Sequence, residues 1–141
     1  MTATAADART LLDDVRTSAA RIARVLDSSG YRADFTPPSL RDVERFMAEH
    51  SDRGIAVAGG LLATDPGPLL FALGAYLGET VRRSAGGTWE TDDEDPHSEV
   101  HLRLRLPDGS LIWPVQRVAK RFRHGHADSL VGYATGPAPQ P

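Results

Sequence analysis

One glutamate, two pairs of histidines and a block of acids followed by a block of bases are the residues of this chain with the means to do chemistry. Glu79 lies in LFALGAYLGETVRR, Leu70 to Arg83, just beyond Gly74 and Gly78. A carboxylate in an apolar setting serves as a general acid or base when a partner group stands beside it. The sequence specifies no such partner by spacing. Arg82 and Arg83 follow at three and four residues, which predicts a helical ion pair, with Arg117 or Lys120 of a later basic stretch as alternative cations. His97 with His101, and His124 with His126, are zinc-compatible in type. The first pair straddles a loop-to-strand boundary, where a four-residue spacing does not bring side chains together as it does on a helix. The second falls at a helix C-terminus, where histidine and arginine suit the helix dipole. No Gly-x-Ser-x-Gly elbow and no phosphate loop is present. No catalytic residue, metal site or cofactor is assigned.

The charges are segregated along the chain. Glu90 to Glu99 holds six acids and no lysine or arginine, and Arg103, Arg105, Arg117, Lys120, Arg121 and Arg123 follow with Asp108 as the acid among them. A basic helix of this kind can contact phosphate backbones. The preceding acids compete for the same cations, and the net charge of −3 offers no global attraction to nucleic acid or an anionic membrane. The expected surface is therefore a mixed one, Asp92, Asp93 and Asp95 beside Arg103, Arg105, Arg117 and Arg121, complementary to a protein partner. A second copy of the same chain satisfies such a surface about a two-fold axis.

These groups need elements to hold them. At 141 residues the chain is long enough to bury a core. It is read as a single globular domain over 1–135 with a disordered tail at 136–141. Leu11, Val15, Ile22, Val25 and Leu26 mark an amphipathic helix from about Asp7 to Asp27, stopped by Gly30. Pro37 and Pro38 precede a second helix carrying Leu40, Val43, Phe46 and Met47, with Ser39 as its N-cap. Residues 54–65 are open between strand, helix and loop. The central helix runs from about Gly67 to Ser84, with proline at its start. Its two glycines each cost about 1 kcal/mol against alanine, so Gly74 and Gly78 predict a flat face pressed against a neighbour. Beyond Gly86 and Gly87 the period changes to two. His101, Arg103 and Arg105 alternate with Leu102, Leu104 and Leu106, a half-buried strand, and Pro107-Asp108-Gly109 is a turn. Val115, Val118, Ala119 and Phe122 give one face of a last helix between Pro114 and Gly125. The fold class is α+β: three N-terminal helices packed on a small antiparallel sheet of about three strands, plus a C-terminal helix.

The stretches GAYLGETVRRSAGGTWE and LRLPDGSLIWPVQRVAKRFRHGHADSL resemble small bacterial, mostly actinobacterial, domains of unknown function. The matching positions in the central helix and first strand are Tyr76, Leu77, Gly78, Glu79, Gly86, Gly87 and Trp89. Those near the C-terminus are Pro114, Val118, Lys120, Arg121, Gly125, Asp128, Ser129 and Leu130. The likeness covers about the C-terminal half, and its motifs are structural in type. Gly74, Gly78, Glu79 and Trp89 are read as structural residues, and the place of some relatives near secretion or toxin-immunity systems implies a protein partner.

Cysteine is absent, which excludes disulfides and thiol chemistry. The first residues are too polar for a signal peptide and no apolar run reaches a membrane span. The expectation is a cytoplasmic, non-enzymatic protein-interaction module, an adaptor, regulator or immunity-like protein, with no membrane or nucleic-acid partner. The alternatives are a small-molecule- or metal-responsive binding domain and a small hydrolase using Glu79 and His101.

Overall fold

The computed structural model describes residues 3–52, 55–56, 66–92, 94 and 98–124. Helix α1 (Ala3–Ser28) buries Leu11, Val15, Ala19, Ile22 and Leu26 along one stripe. It ends at Gly30, whose φ of 90° lets the Tyr31 N–H turn back to the Leu26 carbonyl at 2.9 Å, a reversal that suits a residue without Cβ. A loop and a 3-10 turn (Pro37–Ser39) lead into α2 (Leu40–His50), which buries Leu40, Val43, Phe46 and Met47. Ser39 does not cap this helix with its side chain. Its hydroxyl donates to the Thr36 carbonyl at 2.6 Å and pairs with the Tyr76 hydroxyl at 2.7 Å, because the 3-10 turn aims it at α3. In the same loop Phe35 holds a left-handed φ of 60°. Its ring stacks on Tyr76 at 4.6 Å and carries the Arg83 guanidinium at 3.8 Å on a face, contacts of the size needed to offset a strain of about 1–3 kcal/mol.

Strands β1 (Ser51–Asp52) and β2 (Ile55–Ala56) form a two-stranded antiparallel pair. Residue 54 and residues 57–65, the rest of the segment left open by the sequence, lie outside the described residues, as does the tail at 136–141. Helix α3 (Pro66–Ala85) runs through the middle, packed on α1 and on the last helix. The second sheet is antiparallel in the order β3-β4-β5, from β3 (Thr88–Glu90), β4 (Arg103–Arg105) and β5 (Leu111–Ile112). A 3-10 turn (Glu99–His101) precedes β4, so His101 stands outside the strand and the alternation begins at buried Leu102. Trp89, Leu104 and Ile112 lie side by side in register and form the inner row. Gly109, at φ 89°, makes the β4–β5 turn. Helix α4 (Pro114–His124) closes the core with Val115, Val118 and Phe122. The fold is α+β, helices packed on a three-stranded antiparallel sheet with a C-terminal helix beside them.

Candidate functional site

At the centre, α3 lies almost backbone to backbone on the start of α4. A Cβ at Gly74 would stand 2.5 Å from Val115 Cα, and one at Gly78 would stand 2.0 Å from Cη2 of Trp89. The glycines let the α4 backbone and the indole occupy that space. Trp89 in turn donates its Nε1–H to Glu79 Oε2 at 2.7 Å. Arg82 donates to the same carboxylate through Nε at 2.7 Å and Nη2 at 3.0 Å. Glu79 is 2% exposed. Burial pushes its carboxyl up, but the Arg82 and Trp89 hydrogen bonds outweigh burial and hold it below the usual glutamate range. Arg117 and Lys120 are not its hydrogen-bond partners; the i, i+3 arginine and the indole are. Among the described residues no hydrogen bond or ion pair joins Glu79 to His101. The carboxylate ties α3 to β3 and has no open side toward a substrate.

Among the residues named for a mixed-charge surface, Arg103 and Arg105 lie beside Glu90. Glu90 accepts from Arg103 at 3.1 Å and from Arg105 at 2.7 Å, cross-strand pairs on the outer face of the sheet. Those hydrogen bonds, that to Arg105 foremost, keep Glu90 below its usual range against the pull of burial. Asp92 Oδ2 lies 4.0 Å from His101 Nδ1. Asp93, Asp95 and His97 lie outside the described residues. Arg117 is half-buried on α4. Arg121 is a correction. It is 2% exposed, and its Nε donates to Glu44 Oε2 at 2.7 Å, in an ion pair that joins α4 to α2. Arg121 lies within about 60° of Val118 on the helix, so the packing that buries Val118 takes Arg121 inside with it. It cannot serve as a surface contact.

Sequence reasoning missed a groove between α1 and the start of α3. The groove is about 470 Å³ in volume, and its floor is Ile22 and Val25 from α1 with Leu69, Phe71 and Ala72 from α3. Asp14, Ser18 and Arg21 of α1 and Glu99 of the 3-10 turn form its rim. Burial, with the Asp14 charge, raises the Glu99 carboxyl above its usual range. A second recess of about 400 Å³ opens at the other end of α1, between Arg16 and Arg82 and over Trp89. Leu12 and Arg16 flank this recess with Arg82, while Val25 lines the groove with Gly67, so α1 and α3 run antiparallel. The one available signal was Val25 on α1, which reads as core by its period yet stands half-buried at the groove, above buried Ile22.

Among the described residues no group of three or more His, Asp or Glu is placed to hold a metal ion. No helix among them is long and apolar enough to cross a membrane. No protein-family model, no curated protein and no solved structure matches the chain.

Proposed function

We propose that the chain is a non-enzymatic protein-interaction module, of adaptor, regulatory or immunity-like type, that holds its partner in the groove between α1 and α3. The observation that carries this reading is the groove itself, an apolar floor flanked by charged side chains on two elements. An exposed apolar patch rimmed by polar residues marks a surface for a partner protein or a ligand. The groups with catalytic character support the reading by their bonding. Glu79 is engaged by Arg82 and Trp89, and Arg121 by Glu44. The Glu90–Arg103–Arg105 face supplies a flanking charged surface, suited to steering and specificity more than to affinity. The positions behind the resemblance to actinobacterial domains, Gly78, Glu79 and Trp89, build the joint between α3 and β3, away from the groove. We place the protein in the cytoplasm on its cysteine-free composition.

Affinity capture from the native cell with mass spectrometry tests the proposal, using the wild-type chain, Ala72→Trp to fill the groove, and Arg103→Glu with Arg105→Glu to reverse the sheet face. A partner held by the wild-type chain and lost with Ala72→Trp is the expected result. Capture of nothing above a denatured control, or measured turnover of a substrate abolished by Glu79→Gln in a folded protein, refutes it.

A further inference from the structure

We infer that the groove between α1 and α3 takes a segment of partner polypeptide in which a large apolar anchor stands next to a lysine or arginine. This rests on the interaction reading above and names the chemistry of the partner.

The shape favours a segment over a compact molecule. Asp14 and Val25, both at the groove, are eleven residues apart on α1, which at about 1.5 Å per residue is roughly 16 Å of helix. About ten residues of helix, or five of extended chain, span that length. The floor sets the anchor. Phe71 is 6% exposed and Ile22 2%, so the bottom is apolar and well packed, and a leucine- or phenylalanine-sized side chain from outside would lose its water there.

The charge sets the flank. Asp14 comes from α1 and Glu99 from the 3-10 turn, two carboxylates brought to one end of the groove by separate elements. Among the described residues neither side chain makes a hydrogen bond or an ion pair. Burial and the Asp14 charge raise the Glu99 carboxyl above its usual range. A cation seated beside the two carboxylates offsets that repulsion. Arg21 lies seven residues beyond Asp14 on the same helix, about 10 Å along the axis. Its guanidinium suits a carbonyl or carboxylate farther down the segment. The groove therefore has a direction, with its acidic end at Asp14 and Glu99.

Panning a random peptide library against the full chain tests this, with Ala72→Trp and the double variant Asp14→Lys, Glu99→Lys as comparisons. Thermal melts establish that each variant folds. The acid-to-lysine pair changes rim side chains, so it keeps the test alive if Ala72→Trp does not fold. Enriched peptides are expected to carry an apolar residue beside lysine or arginine. Their affinity should fall at least about tenfold with either variant, and again when their basic residue is replaced by glutamate. Enrichment of acidic or neutral peptides, binding unaffected by both variants, or no enrichment at all overturns the inference. So does a saturable thermal shift with phenethylamine in the absence of peptide enrichment, which assigns the groove to a small organic cation. If a cellular partner is still captured by Ala72→Trp, the protein binds another chain at a different surface, and both the groove as its binding site and this inference fall. If no partner is captured while peptides bind as expected, the site stands and the cellular reading falls.

Discussion

A single methyl group at Gly78 probes the joint between α3 and β3. An alanine Cβ there would stand 2.0 Å from Cη2 and 2.3 Å from Cζ2 of Trp89, and 3.0 Å from Cγ of Pro114. To regain contact at about 3.5 Å the indole must move by roughly 1.5 Å. Its Nε1 lies 2.7 Å from Glu79 Oε2, so a shift of that size carries the pair out of hydrogen-bond range. Overpacking costs about 1–3 kcal/mol. Loss of a hydrogen bond to a buried carboxylate costs about 1.5–3 kcal/mol, and helix propensity returns about 1 kcal/mol. The net is a destabilisation of about 3 kcal/mol, equivalent to a fall in Tm of roughly 10 °C for a chain of this size. Urea unfolding followed by far-UV circular dichroism measures it. The same substitution in a Trp89→Phe background removes the colliding atoms, so Gly78→Ala should cost at least about 1 kcal/mol less there. If Gly78→Ala is neutral or stabilising, as helix propensity alone dictates, or costs the same in both backgrounds, the packing argument is wrong.

Glu79→Gln should lower stability at neutral pH by about 1.5–3 kcal/mol. Because the folded pKa of Glu79 is depressed, its contribution is present above the ordinary glutamate value of about 4.3 and is lost as pH falls through the lower folded value. A gap between wild type and variant that stays constant down to about pH 2 in urea titrations contradicts this. Arg121→Met removes the guanidinium from a buried carboxylate and should cost about 3 kcal/mol or more, whereas adding Glu44→Leu should recover part of that loss; a double variant less stable than the single one refutes the account. For a second copy as the partner, sedimentation should show a dimer at low salt that dissociates as the Debye length falls below about 8 Å. A monomer at every concentration and salt level removes that partner.

The regular elements were legible because their periods are clean. The leucines of α3 and the Leu102–Leu104 alternation predict a helix and a strand, and they lie within two residues of Pro66–Ala85 and Arg103–Arg105. The polar core was less legible. Arg121 reads as one more cation in a basic helix, yet it is three residues from Val118, and Glu44 is four from Leu40 and three from Met47. Both sit on the apolar stripes, and that placement was the available signal for a buried pair. Glu79 presents the opposite case. Its i, i+3 arginine was readable, while its indole partner comes from β3 and appears only once the chain has turned at Gly86 and Gly87. The groove was invisible in one dimension, because Glu99 reaches it from a 3-10 turn with no periodic pattern.

The Arg121–Glu44 pair spans 77 residues of sequence, and this bears on how the protein is made. At about 5–20 residues per second of synthesis, Glu44 emerges some 4–15 s before the arginine that will neutralise it. During that interval α2 carries a carboxylate on its apolar stripe, and the glycine face of α3 has no α4 against it. Docking of α1, α2 and α3 is thus incomplete until the last helix arrives with both Val115 and Arg121. A nascent chain interrupted before Arg121 cannot bury its own acid, and its bare core is open to chaperones and proteases. Helix α4, the last among the described residues, thus supplies the contacts that complete the packing of α1, α2 and α3, and a chain truncated before Arg121 is expected to lack a stable core.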